Sequence, residues 1–479
     1  MNLRIVWRTV GKVLLIEAAL MLLPLLTALV YRESPLPFLI PLAATALLGF
    51  ALSRVPGTRG VFTAREGFLT VGLSWVLMSA LAAIPFVLTG DIPNYLNALF
   101  ETVSGLTTTG ATVLSDVEGL TRAGQFWRLF SHWIGGMGIL VFIMAVLPLA
   151  GDRSMHIMRA EVPGPVVGKL VPKAKQTARI LYIIYFALTL AEAVLLRVGG
   201  MGWFDSLLHS FATAGTGGFS TRALSIGYYG SAYLEAVTGT FMLLFGVNLS
   251  LYYLILVGSW REAVKNEELR WYLVIVAVAI GTIAWNISGL YGGFGHALRY
   301  AYFQVASIIT TTGFSTADFT QWPAYSQTAL FLLMFVGGCA GSTAGALKMS
   351  RVAILCKDAL AELRRMLRPR SVVQARFEGK TVQPGTLRAV QSYFVLYLLV
   401  LLLGTVLVSI DGHDFATNFT GTLACLSNIG PGLSLVGPMG SFDIFSPFSK
   451  IVLILEMLLG RLEIYPILLL FHPATWRAK

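Results

Sequence analysis

Charge is what this sequence has least of for its length. Charged residues fill 12% of its 479 positions, about half the share of an ordinary soluble chain, and that excludes a soluble globular domain. Cysteine is scarcer still. Cys339, Cys356 and Cys425 are odd in number, scattered, and set in or beside apolar or glycine-rich stretches, so they form neither a disulfide framework nor a zinc-ligand spacing. The six histidines, His132, His156, His209, His296, His413 and His472, have no metal-ligand spacing, and most are expected at membrane–water interfaces. There is no HExxH pair, no nucleophile elbow completed by a Ser/His/Asp order, and no nucleotide-binding glycine fingerprint. The chain is therefore not read as an enzyme; a membrane-embedded enzyme is a remote alternative, and no covalently bound cofactor is expected.

What is abundant is apolar. Hydrophobic residues reach 56% and fall in repeated runs of about twenty, enough for a helix to cross a bilayer. The class is an all-α polytopic membrane protein, in contact with membrane lipid. The formal net charge of +11 does not point to nucleic acid, because the basic residues gather in alternate loops. Arg54, Arg59 and Arg65 form one group; Arg153, Arg159, Lys169, Lys173, Lys175 and Arg179 the next; Arg261, Lys265 and Arg270 another. The largest runs from Lys348 to Arg388, while the intervening loops hold mainly Arg32, Arg122, Arg222 and Arg299. This is the positive-inside pattern, which puts the rich loops and both termini in the cytoplasm. The basic start at Met1–Arg8 has no small-residue cleavage site before the next span and is read as part of a retained first helix. Asn418-Phe419-Thr420 matches a glycosylation sequon, a weak motif by itself.

Four short polar stretches punctuate the apolar runs. They read Thr107-Thr108-Thr109-Gly110-Ala111-Thr112, Thr216-Gly217-Gly218-Phe219-Ser220-Thr221, Thr311-Thr312-Gly313-Phe314-Ser315-Thr316 and Ser427-Asn428-Ile429-Gly430-Pro431-Gly432. Gly and hydroxyl residues favour irregular backbone, and irregular backbone at membrane depth survives only when buried or lining a water-filled path. Each stretch follows a segment of 12–16 residues, too short to span, and lies between two long apolar runs. The expected spans are 69–89 and 125–149, 179–198 and 232–258, 271–290 and 327–356, and 389–410 and 448–471, with re-entrant segments at 91–106, 203–214, 296–310 and 414–426. Segments 13–31 and 36–53 have no polar stretch between them and form a hairpin outside the repeat, with Pro24 and Pro41 as sites of kinking. The expected units are 1–60 for the hairpin and 61–165, 166–262, 263–370 and 371–479 for the repeats, about ten spans in all.

Two further features stand out. Gly337, Gly338, Gly341 and Gly345 interrupt a helix otherwise continuous over 328–357; a small-residue packing face is one reading, and a phosphate-binding loop fails because no Gly-Lys-Ser/Thr follows and the stretch sits at membrane depth. Lys348, just beyond, is read as an interfacial anchor. Arg461 lies inside the last apolar run, as a local partner of Glu463 or lipid, or as a functional intramembrane charge. Glu17, Glu192 and Glu456 also fall in apolar runs, as lipid-edge, packing or coupling residues. Asp116, Glu118, Asp205, Asp318, Asp414 and Asp443 fall in outer loops, where they either enrich cations or are ordinary solvated charge.

The four stretches resemble the selectivity filters of the Trk/Ktr/HKT superfamily of potassium transporters, with Gly110, Gly218, Gly313 and Gly430 on the family's filter glycine. The resemblance runs over nearly the whole chain from residue 68. The segments Phe126-Trp127-Arg128-Leu129-Phe130-Ser131-His132-Trp133-Ile134-Gly135-Gly136-Met137-Gly138 and Arg159-Ala160-Glu161-Val162-Pro163-Gly164-Pro165 are also similar, and the hairpin and length look like the TrkH branch. The resemblance implies four M1–pore helix–M2 repeats in a pseudo-four-fold arrangement plus the N-terminal two-helix hairpin, in a bacterial cytoplasmic (inner) membrane. It implies potassium uptake through a filter formed by Thr108, Thr109, Gly110 and Ala111; Thr216, Gly217, Gly218 and Phe219; Thr311, Thr312, Gly313 and Phe314; and Asn428, Ile429, Gly430 and Pro431. It further implies a gate at Gly337, Gly338, Gly341, Ser342, Thr343 and Gly345, assisted by Arg461. A homodimer and a TrkA-type cytosolic nucleotide-binding regulatory protein are the implied partners, so ATP, ADP or NAD would act only through that partner, on the basic stretches 151–179 and 346–388. Glycine at all four filter positions goes with potassium preference in the family; a sodium-coupled or sodium-permeable relative is the alternative, as the fourth stretch diverges. Channel and symporter readings both stay open.

Overall fold

The computed structural model describes residues 3–56, 64–150, 174–368 and 373–476. Arg59, Arg153, Arg159, Lys169, Lys173, the segment 159–165 and the unit boundaries at 60, 165 and 370 lie outside them. The boundary expected at 262 falls inside the short helix Trp260–Lys265.

Six of the described helical segments are long and apolar enough to cross a membrane: Leu3–Val30, Leu36–Ser53, Arg65–Thr89, Arg179–Val198, Glu267–Ile287 and Pro384–Asp411. The first two are the hairpin; the others are the leading span of each repeat. Leu3–Val30 begins ten residues before the expected segment and is interrupted at Met21, ahead of Pro24, whereas Pro41 sits inside an unbroken helix. Gly11 and Gly49 let the hairpin helices approach until a Cβ on either would strike the other's backbone. The linking loop is tied to the first repeat: the Glu33 carboxylate accepts the N–H groups of Arg122 (2.7 Å) and Ala123 (3.0 Å) at a helix start.

Each repeat then adds a re-entrant helix: Tyr95–Leu106, Trp203–Gly215, Phe294–Ile309 and Phe415–Leu426. Local sequence sets their starts. The Asn94 side chain accepts from Leu96 and Asn97 N–H, and Asp414 caps Thr417, filling donors a helix start leaves open. Their last turns are wholly buried, at 103–106, 212–215, 303–309 and 420–426. Protein therefore covers the polar residues that lipid could not.

The trailing spans differ from expectation. The first, Arg122–Ala150, is continuous. The second is Ala232–Phe245 and Leu249–Leu256, bent by 92°. The third stops at Val336 and resumes at Met349, so the non-helical stretch is 337–348, three residues longer than expected. The fourth breaks between Arg461 and Tyr465, where Glu463 and Ile464 have positive φ. Outside the spans, a small hairpin pairs Arg376–Phe377 with Lys380–Thr381.

Candidate functional site

All four re-entrant helices end the same way. Thr108, Thr216, Thr311 and Asn428 stand in the left-handed region, at φ 55°, 54°, 56° and 55°. The next residue in each repeat donates its N–H five positions back: Thr109 to Ser104 O, Gly217 to Ala212 O, and Thr312 to Ser307 O, each at 2.8 Å, and Ile429 to Ala424 O at 2.9 Å. The left-handed residues themselves donate three positions back, at 2.9–3.2 Å. This is a Schellman cap, but with threonine in three of four copies where Gly or Asn is usual. A β-branched residue there is an outlier, costing about 1–2 kcal/mol. Asn428 is the copy for which the conformation is least strained, so the most divergent stretch keeps the shared geometry.

Two residues on, Gly110, Gly218, Gly313 and Gly430 are again left-handed, at φ 82°, 76°, 86° and 99°. Their neighbours form a closed circuit. A Cβ on Gly110 would strike the Gly217 carbonyl oxygen, one on Gly218 that of Thr312, one on Gly313 that of Ile429, and one on Gly430 would press on that of Thr109. Each glycine thus abuts the carbonyl just before the next repeat's glycine, and the fourth returns to the first. All four line one cavity of about 90 Å³, together with Thr112, Ser220, Ser315 and Pro431. Four unequal strands surround a single axis, and the ring's lining offers carbonyl and hydroxyl oxygens suited to a hard cation. The re-entrant helices end on it with their partly negative C-termini.

Nine residues before each of the first three glycines stands a polar side chain that ties its helix to the strand beyond the ring. Glu101 accepts from Thr112 Oγ1 (2.9 Å) and Val113 N–H (3.1 Å). His209 Nε2 lies 2.8 Å from Ser220 Oγ. Gln304, with its amide turned so that the oxygen faces the donors, accepts Thr316 N–H at 2.9 Å. In the fourth repeat the position is Gly421, and Thr420 Oγ1 accepts Leu433 N–H instead (2.8 Å). Buried Arg128 binds Glu101 at 2.6 Å, donates to Ser220 O at 3.1 Å and stacks 3.6 Å from the Phe219 ring centre. His132, fully buried, has Nδ1 2.9 Å from Gly105 O and accepts Phe219 N–H at Nε2 (3.2 Å). Those partners fix it as the Nδ1–H tautomer, bridging the first helix end to the second strand. Asn428 Nδ2 likewise joins the fourth strand to Thr109 Oγ1 (2.9 Å) and Met457 O (3.0 Å).

The 337–348 loop lies where the re-entrant helices finish and reaches every repeat. Cys339 N–H donates to Gly246 O (2.9 Å), Gly345 N–H to Thr311 Oγ1 (2.7 Å) and Ala346 N–H to Ser427 O (3.0 Å). Arg461 closes the fourth contact. Its guanidinium, in a side chain almost wholly buried, donates to Thr343 O in the loop (2.8 Å) and to Gly135 O in the first trailing span (2.7 Å).

A family model described as TrkH, cation transport protein, matches residues 39–282 and 293–477. The chain belongs to the TrkH family. It is 36% identical to the Trk system potassium uptake protein TrkH of Escherichia coli strain K12, over the full length of both chains. It is 34% identical to TrkG of the same strain, covering all of this chain and 99% of that one. The crystal structure of the potassium transporter TrkH from Vibrio parahaemolyticus matches with a TM-score of 0.90 at 34% identity, over the whole of each chain. As a member of this family the chain is an integral membrane protein of a transport family, and the ring of strands, the 337–348 loop and Arg461 are joined by direct hydrogen bonds.

Several expectations need correction within this TrkH frame. Arg461 does not pair with Glu463, which instead binds Arg351 at 2.7 Å. Lys348 is not an interfacial anchor: it is buried, and its ammonium donates to the Ala344 carbonyl in the loop. His132 and His209 belong to the collar of the ring rather than to an interface. The Asn418 sequon is buried in the fourth re-entrant helix. The outer acids are largely engaged: Asp205 accepts from Thr221 and Tyr229, Glu118 meets Arg222, and Asp443 meets Lys450. Hydrogen bonds from Thr417 hold the Asp414 carboxyl below its usual range. Glu17, Glu192 and Glu456 are all buried, which removes the lipid-edge reading. Glu101 and Arg128 were missed; the only available signal was two opposite charges inside otherwise apolar segments.

Proposed function

We propose that this chain carries potassium into the cell through the ring of four strands. The observation that carries the reading is the closed circuit of glycines, each seated against the carbonyl that precedes the next repeat's glycine. Carbonyl oxygens of Thr108–Ala111 and their counterparts in the other three strands replace the ion's water shell. A Cβ at any of the four glycines would narrow the passage, and this favours potassium over the sodium-permeable alternative. The 337–348 loop is the gate. It lies across the helix ends, and Arg461 adds a fixed positive charge that raises the energy of a cation there. The alternation of basic loops favours an inner-membrane orientation with both termini cytoplasmic.

Regulation is assigned to a cytosolic partner, since nucleotide has no binding fingerprint here. The helix Met349–Leu367, which continues the loop, exposes Leu360, Leu363, Met366 and Leu367 beside Arg364. That mixed apolar and basic surface suits a docking protein of the TrkA type, and a second copy of the chain completes a homodimer.

Rubidium tracer uptake into liposomes tests the transport reading. External potassium is expected to block uptake and sodium to block it little. Gly218→Ser should lower uptake and narrow the potassium-to-sodium difference. Equal block of the unaltered protein by both ions would reject the selectivity claim.

A further inference from the structure

Two neighbouring acids at the head of the third leading span serve different structures. Glu268, buried, accepts the N–H of Ala340 at 2.7 Å and that of Ser350 at 2.9 Å, both on Oε1. Ala340 is in the loop; Ser350 opens the helix that follows it. One carboxylate oxygen on a separate element therefore ties down both ends of the loop. Glu267 faces the other way. It accepts Glu378 N–H at 2.9 Å and pairs with Lys357 on that same following helix. Glu378, in the turn of the small cytosolic hairpin, returns the contact by accepting Glu267 N–H (2.9 Å), Glu268 N–H (3.2 Å) and Asn266 Nδ2 (2.8 Å). Lys357 also donates to Arg376 O of the hairpin at 2.8 Å.

We infer that Glu268 is a positioning residue for the gate, a clasp that holds the loop across the conduction path, and that the 376–381 hairpin is the cytosolic handle on that clasp. The role rests on the reading of the loop as the gate. Without the Glu268 side chain, two N–H donors in buried backbone lose their partner. The loop then gains by leaving its seat. Displacing the hairpin takes Glu378 away from the N–H groups of Glu267 and Glu268, so a cytosolic event reaches the loop without touching the filter.

Cys339, buried in the loop beside Ala340, reports the clasp directly. The experiment uses the full chain in nanodiscs with the exposed Cys356 changed to Ser, and measures modification of Cys339 by a charged methanethiosulfonate. Glu268→Ala is expected to speed modification at least about tenfold, the factor that 1.4 kcal/mol produces. Glu268→Gln, which keeps an acceptor oxygen, should retain most of the protection. Unchanged modification in folded Glu268→Ala overturns the clasp. If that variant does not fold, Glu378→Ala decides: faster modification supports the handle and clasp, and an unchanged rate overturns them. Rubidium uptake by the same variants reconstituted in liposomes separates the two readings. Faster modification with raised uptake and unaltered potassium-over-sodium preference supports both. Faster modification with unchanged uptake leaves the clasp standing but overturns the gate reading, and with it the positioning role.

Discussion

Three threonines are held in a conformation that threonine avoids, and tertiary contacts override their local preference. Thr108, Thr216 and Thr311 each turn the chain from a re-entrant helix into the ring strand, and the surrounding contacts keep them there. Thr109 and Thr312 bond back to Thr107 and Thr310 at 2.8 and 2.7 Å, while Thr311 takes Gly345 N–H. Such outliers persist only where neighbours over-determine them. Arg128 is the largest of these restraints, since it binds Glu101 of one repeat and Ser220 of the next. Removing one partner of a buried ion pair typically costs about 3–5 kcal/mol, because the other charge is left uncompensated. Arg128→Ala should therefore lower the thermal midpoint in detergent well below that of a surface change such as Arg364→Ala. Equal midpoints would mean that the collar is not a structural restraint. None of this pairing was legible beforehand: Glu101 and Arg128 are 27 residues apart, and nothing in periodicity joins a helix interior to a span of the same repeat.

At the scale of elements, the leading and trailing spans play different parts. The leading spans and hairpin are plain apolar helices, and their runs were readable from composition. Three of the four trailing spans are interrupted near the re-entrant helices, and the first runs through without a break. Gly135 and Gly460 lie against the carbonyls of Leu106 and Leu426, and Gly246 against Thr310, because only a missing side chain allows such approach. Four glycines in nine residues exposed the break in the third repeat. The bend at Gly246 and the stop after Arg461 were hidden, since a single glycine, or the Leu462-Glu463-Ile464 sequence, carries no breaker signal. The loop and Arg461 make one unit, so deletion of 338–344 and Arg461→Ala should act in the same direction. A unit charge about 10 Å from a cation, at an effective dielectric near 20, raises its energy by about 1.7 kcal/mol. Arg461→Ala should then raise basal rubidium flux about tenfold or more, with the loop deletion at least as large. Folded variants of normal flux would assign the loop to helix packing instead.

Over the whole molecule, four copies of one unit with little sequence in common converge on a single circuit. Their order around the axis follows their order in the chain, so each repeat is bonded to the next and the last to the first. The sequence carried the repeat, the re-entrant helices and the four polar stretches that form the ring, because Gly, Thr and Ser in an apolar chain are conspicuous. The bonds between repeats were not legible, since His132, Arg128 and Asn428 meet partners 87, 92 and 319 residues away. The central claim is that this ring, and no other part of the chain, binds the transported ion. Anomalous diffraction from crystals grown with thallium, a heavy stand-in for potassium, tests it most directly. The account predicts peaks on the axis enclosed by Thr108–Ala111 and the three corresponding strands, weakened when sodium replaces potassium as the competing ion less than when potassium is kept. Ordered thallium elsewhere in the protein, with none within the ring, would contradict it.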